Sequence, residues 1–347
     1  MELPFKIDLS GEVAVVTGGT GVIGGMYARA LGMCGAKVAV LGRNVEHGQA
    51  VVDDIRAAGS DAIAVAGNVL DKASLEAARD EILEKFGHIN ILVNCAGGAV
   101  KSAMIPQDQF SGLEEDLDNF FTHNLDEVHK ELDLNLFGTM LPTQVFGKCL
   151  VGQDNANIIN ISSMSAYDPL TRIPGYSSAK AGITNFTEWC AIYFAKSGIR
   201  VNAIAPGFFV TTQNRHMQFN PDGTPTERNK KIVAATPMGK YGEPEDLVGG
   251  LPAIIGDSSE SPHHQRPETS KPAQKQSQKL DEINKNSTRA KLPYCAIPSK
   301  VLYINQRPVT LPTTLPVSIT EHDTEVNQKT EFTSESKIAL AKGEVLL

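Results

Sequence analysis

The sequence predicts an α/β protein, a doubly wound parallel sheet in a single Rossmann-type domain, followed by an atypical and largely disordered tail. Three observations lead there: short apolar runs alternate with helical patterns from Glu12 to Leu251, glycines cluster where the first run meets the first helix, and the composition changes abruptly after Leu251. The chain of 347 residues with 41% hydrophobic side chains is long enough for a substantial core.

The runs come in order as EVAVVTG, AKVAVLG, DAIAVAG, INILVNCAG, ANIINIS and IRVNAIAPG. Each is continuously apolar and closes on Gly, Asn or Ser, as expected of a strand covered on both faces in a parallel sheet. Between them, VIGGMYARALGMCG and LDKASLEAARDEILEKFG carry apolar residues at helical spacing and end in glycine, a helix stop. Beyond Leu251 the pattern fails. That stretch holds 2 of the 30 glycines but 9 of the 19 prolines, so residues 252–347 read as a polar, Pro-punctuated tail rather than a second domain. Within it SKVLYINQ is the one good strand candidate, and Pro252 is expected to interrupt the helix before it.

A formal net charge of −8 argues against general nucleic-acid binding, which needs a basic field. The first residues lack a basic segment followed by an apolar one, and no run approaches the ~20 apolar residues of a membrane span, so a cytoplasmic protein without a membrane partner is expected. Cys34, Cys95, Cys149, Cys190 and Cys295 are scattered without CxxC spacing, which points to reduced thiols and no metal site.

In VAVVTGGTGVIGG, Gly19, Gly21 and Gly24 match GxGxxG at the first strand-to-helix junction. Glycines there allow a tight turn and let the backbone approach a pyrophosphate at a helix N-terminus. A dinucleotide-binding second strand ends in a carboxylate about 20 residues on when the cofactor is NAD. Here that place holds Gly42 and Arg43, so nothing repels a 2′-phosphate and a guanidinium is available to pair with it. NADP(H) is therefore expected over NAD(H); the alternative has Arg43 stacking on adenine or facing solvent with NAD in use.

IPGYSSAKAG sets Tyr176 and Lys180 on one helical face, either an acid/base device or a solvated surface pair. NIINISS reads as a strand ending in Ser162 and Ser163, thirteen residues before Tyr176. With these residues the chain resembles the short-chain dehydrogenase/reductase family, through TGGTGVIG, NCAG, Asn135, Ser163, YSSAK and PGFFVT in that order, over roughly residues 10–251. The texture of the sequence is nearest to the branch of D-mannonate oxidoreductases and fructuronate reductases.

Reducing a ketone needs a proton donor within ~3 Å of the carbonyl oxygen. The resemblance makes Tyr176 that acid/base. A nearby Lys180 ammonium and an oxidised nicotinamide would both lower a phenol pKa that is ordinarily about 10. Lys180 would also bond the nicotinamide ribose, and Ser163 would steady the substrate oxygen. Asn135, otherwise a kink or cap residue, would hold a water in a relay to Lys180. The cofactor would rest on Gly18, Gly19, Thr20, Gly21, Val22, Ile23 and Gly24, on Arg43, Asn68 and Val69, and on Asn94, Ala96, Gly97, Pro206, Gly207 and Thr211.

The sequence departs from the family pattern at Val22, where the family has glycine, and at Asn68, where it has aspartate. A long insertion between Gly97 and Asn135 is expected to overhang the site, and the loop after Thr212 to form a lid. That loop carries Arg215, His216, Arg228, Lys230 and Lys231, which suits a carboxylate substrate with Arg215 as the clamp. The resulting expectation is an oxidoreductase on a sugar acid or polyol. The alternatives are a 3-oxoacyl or steroid-like carbonyl reductase, and a cofactor-binding protein without turnover because the last strand is missing. Helix AKAGITNFTEWCAIYFAK is apolar around much of its circumference, which with the family resemblance implies a homodimer or homotetramer.

Overall fold

The computed structural model describes residues 7–110, 112, 118–211, 214–255 and 301–304. Six strands fall on the six apolar runs: β1 (Val13–Thr17), β2 (Lys37–Gly42), β3 (Ala62–Ala66), β4 (Ile91–Asn94), β5 (Asn157–Ile161) and β6 (Arg200–Pro206). A seventh, β7 (Val301–Ile304), comes from the tail. All pairings are parallel, in the order β3-β2-β1-β4-β5-β6-β7. Chain order reverses between β1 and β4, and at such a switch point the carboxyl ends of the strands leave a crevice for a ligand.

Each strand is sandwiched. In β1, Ala14 and Val16 pack with helices α1 (Val22–Met33) and α2 (Glu46–Ala57), while Val13 and Val15 face α3 (Lys72–Phe86) and α5 (Gly138–Leu150). Burial on both faces is why the runs are continuously apolar rather than alternating. Local chemistry sets the helix ends: the Asp71 side chain accepts from the amides of Ala73 and Ser74 at the start of α3, and Gly87 closes it at φ +87°.

Helix α4 (Leu125–Leu132), capped by Asn124, runs into α5 through a π-turn at Asp133–Phe137. The cause is local. The Asn135 side-chain amide donates to the Glu131 carbonyl at 2.9 Å, the position an α-helix reserves for its own backbone amide, so the ladder is displaced. Helix α6 (Pro174–Tyr193) begins with proline in its first turn, where no amide donor is required. Its outward face exposes a ladder in which Trp189 stacks on Phe186 and on Tyr193, with Trp189 51% and Tyr193 66% accessible.

Two readings of the edge beyond β6 are open from the sequence, a segment of the tail filling it or an incomplete sheet; Val301–Ile304 pairs there with Ala203–Pro206, so the incomplete sheet does not hold. Pro252 does not stop a helix either: it is the third residue of the short α9 (Gly250–Ile255), where a missing amide costs nothing. Among the described residues no helix is long and apolar enough to cross a membrane.

Arg200 secures this end of the sheet. Its guanidinium donates to the carbonyls of Ile254 and Ile255 at 2.8 and 2.7 Å and to Asn155 Oδ1 at 3.0 Å, satisfying carbonyls that α9 leaves open at its C-terminus. Arg200→Ala is expected to lower the unfolding free energy by about 1–3 kcal/mol. Urea denaturation should show an earlier midpoint at an unchanged slope.

Candidate active site

The carboxyl ends of β1, β4, β5 and β6 carry the residues that the sequence singles out. Gly18 to Gly21 turn from β1 into α1, whose first residue is Val22. A side chain at Gly24 would strike the Gly18 carbonyl, so the helix can approach the strand end only with glycine there. The turn is tied to β4 through Thr17, whose hydroxyl accepts from the amides of Cys95 and Ala96 at 3.1 and 3.2 Å. Gly42 packs on Thr20 at the end of β2, and Arg43 next to it is exposed.

Several predicted cofactor residues have structural employment. Asn94 turns inward: its amide donates to Asn160 and to Thr143, each at 2.9 Å, and Asn160 passes the network on to Thr187 in α6. The Asn68 amide oxygen, expected to face adenine, accepts from the Leu70 backbone at 3.1 Å. Val69 is buried against Gly138. Pro206 ends β6, Gly207 follows it, and Thr211 closes a turn with Asn214 at the start of the lid.

Ser163, Tyr176, Lys180 and Asn135 converge. Ser163 follows β5, and its hydroxyl stands on the side of the Tyr176 phenol, whose ionised form it favours. One turn along α6, the Lys180 ammonium lies 5.5 Å from the tyrosine ring centre and donates to the Ile161 carbonyl at 2.7 Å. The Asn135 amide brackets Gly98, accepting from its amide at 2.9 Å and donating to its carbonyl at 3.0 Å. Gly97, at φ +153°, passes over this floor; a Cβ there would be 2.6 Å from Asn135 Oδ1 and 3.6 Å from the Lys180 nitrogen.

The electrostatics run partly against expectation. Burial pushes the Tyr176 phenol above its ordinary value, with Ser163 opposing and the Glu131 carboxylate adding to the rise. Burial drives Lys180 the other way, to about 8, opposed by the neighbouring Cys95. In the chain by itself, desolvation decides the direction of both shifts.

Glu131 is the residue that sequence reasoning missed. It is fully buried, with Oε1 accepting from the Val100 amide at 2.7 Å and Oε2 set against Gly175 in the first turn of α6. The signal was available: Glu131 stands four residues before Asn135, on the same helical face. Arg215 is not where it was expected. Its guanidinium sits 5.1 Å from the Phe219 ring, outside a cleft of about 300 Å³ bounded by the insertion, the loop at 170–173 and lid helix α8 (Glu227–Ala235).

A family model for short chain dehydrogenases matches residues 12–221. The chain belongs to the short-chain dehydrogenase/reductase family. It is 49% identical to the uncharacterized oxidoreductase UxuB of Bacillus subtilis over 74% of this chain and 92% of that one. It is 31% identical to 2-dehydro-3-deoxy-D-gluconate 5-dehydrogenase of Escherichia coli over 73% of this chain and 91% of that one. A solved structure of a provisionally assigned D-mannonate oxidoreductase from Haemophilus influenza, with bound NAD, superposes at a TM-score of 0.69 with 42% identity, covering 72% of this chain and 89% of that one. Like its family, this protein is a nicotinamide-dependent oxidoreductase acting on small molecules.

Removing the Glu131 carboxyl leaves the Val100 amide without its acceptor. Glu131→Ala is expected to destabilise the protein by about 1–3 kcal/mol, with Glu131→Gln recovering most of the loss because an amide oxygen still accepts. Thermal unfolding of the two variants side by side checks this.

Proposed function

We propose that the protein interconverts a ketone and a secondary alcohol on a sugar acid or polyol, of the D-mannonate and fructuronate kind, with Tyr176 as acid/base. The observation that carries this reading is the convergence of Ser163, the Tyr176 phenol and the Lys180 ammonium, which lies 5.5 Å from the tyrosine ring centre. The sugar chemistry is supported by the likeness to the Haemophilus protein provisionally assigned as a D-mannonate oxidoreductase and to the Escherichia coli 2-dehydro-3-deoxy-D-gluconate 5-dehydrogenase.

The close approach at Gly24 and the open first turn of α1 fit a bound dinucleotide, held by residues 18–24, Arg43 and the strand ends at Ala96, Gly97 and Gly207. When bound, the nicotinamide donates or accepts the hydride. In the reductive direction Tyr176 gives its proton to the carbonyl oxygen while Ser163 donates a hydrogen bond to that oxygen. Lys180, titrating at about 8, exchanges protons near neutral pH and restores the phenol. Asn135 holds the Gly97–Gly98 segment over Lys180 and closes the inner end of the relay. The reading of an inactive scaffold loses its premise, since β7 occupies the sheet edge.

NADP(H) is the favoured cofactor in this proposal, because Arg43 is exposed at the end of β2 with no carboxylate beside it in sequence. The NAD carried by the Haemophilus structure makes the comparison of cofactors a direct test. Purified protein should oxidise NADPH faster than NADH with fructuronate, and Tyr176→Phe should abolish turnover. Tyr176 titrates above its ordinary value, so at neutral pH it holds the proton that reduction needs. Reduction should fall and alcohol oxidation should rise as pH climbs into the alkaline range; opposite trends, or turnover by Tyr176→Phe, would reject the assignment.

A homodimer or homotetramer joined through α6 belongs to the same proposal, its support being the exposed Trp189–Tyr193 ladder. Light scattering should give a mass of two or four chains, and Trp189→Glu should shift it toward one.

A further inference from the structure

The cleft under the lid is lined on its apolar side by Met104, Leu170, Ile173 and Phe208, and its connection to the site is through the chain, since Ile173 stands three residues before Tyr176. Charges gather on its other side. Asp108 and Glu227 already have cations: Asp108 bonds Lys231 at 3.0 Å, and Glu227 bonds Lys230 at 2.7 Å. Arg172 and Arg228 have no such direct partner: Asp108 feels the charge of both, yet among the described residues no carboxylate lies within ion-pair distance of either.

Their donors are set for an anion. Arg172 is oriented by a bond from Nε to the Ile105 carbonyl at 3.0 Å. Arg228 Nε is buried without any acceptor among the described residues. A buried guanidinium N–H left unsatisfied is costly, and a carboxylate matches the fork of an arginine with two parallel bonds. Lys231 is held by Asp108, and Arg215 is stacked on Phe219, so neither competes for this role.

We infer that Arg172 and Arg228 form a carboxylate-binding subsite in the substrate cleft, which takes the acid group of a sugar acid while its carbonyl or carbinol carbon faces Tyr176. The inference rests on the sugar-acid reading for its physiological substrate, and it replaces Arg215 as the clamp. Because Arg228 comes from α8, binding the acid group also fastens the lid over the cleft. The subsite selects acids over the corresponding neutral polyols, since an uncharged end leaves both guanidiniums unpaired.

Titration calorimetry in the presence of oxidised cofactor, with D-mannonate and D-mannitol as probes, tests the subsite without requiring turnover. Wild type should bind the acid at least about tenfold more tightly than the polyol. Arg228→Met should lose about ten- to a hundredfold in acid affinity and little for the polyol. Lys230→Met, the same charge change on the same helix, should keep the preference. Equal affinities in wild type, an Arg228→Met protein that still prefers the acid, or equal loss of both probes would overturn the subsite. Fructuronate turnover separates the two ideas: an acid preference that depends on Arg228 but comes without turnover would sink the substrate reading and keep the subsite. Turnover with a Michaelis constant indifferent to Arg228 would do the reverse.

Discussion

A buried ammonium organises this protein. Lys180 lies inside the fold, where a charge is tolerated only with polar partners, and its bond to the Ile161 carbonyl fixes α6 against the end of β5. Once that contact is set, Tyr176 one turn earlier must stand beside Ser163, which leaves the same strand. Gly97 can cross above only because it lacks a side chain, and Asn135 holds the segment there from a turn that its own amide has distorted. Three separate segments are thus drawn to one point by polar groups that have nowhere else to bond.

The same burial decides the electrostatics. Desolvation raises the phenol and lowers the amine, so two groups of nearly equal acidity when free move apart, and the charged lysine becomes the stronger acid. A proton held on Tyr176 at neutral pH suits donation to a ketone, and an amine titrating at about 8 suits its replacement. Glu131 works against ionisation of the phenol while bracing the segment at Val100. The cost of its burial is repaid in geometry, since Oε2 and the first turn of α6 share one small volume.

The cleft proposed to choose the substrate is built farther out, from connecting segments. The insertion supplies Met104 and Asp108, the loop after β5 supplies Arg172, and the lid supplies Arg228 and Lys231. None of these belongs to the sheet, yet the sheet sets their spacing because each segment leaves a neighbouring strand end. A seventh strand drawn from the tail completes the β6 edge, next to the strand from which the lid departs.

Strand identity and order of elements were legible in the sequence, because burial on both faces demands continuous apolar runs, and glycine marks where they end. The group of Ser163, Tyr176 and Lys180 was legible too, since helical spacing and a strand end leave those residues few other arrangements. Which polar groups face the site and which face the core was not. Asn94 looked like a cofactor contact but bonds Asn160, because strands adjacent in space and distant in sequence bring two amides together. Glu131 drew no notice until packing enclosed it, and the Phe219 ring beside the Arg215 guanidinium was not visible in the sequence either. The sequence alone determined the fold class and singled out the group of Ser163, Tyr176 and Lys180, both of which depend on local periodicity and residue chemistry. Only the tertiary structure decided their acidities and the guanidiniums left unpaired, because desolvation and partner choice belong to atoms distant in the chain.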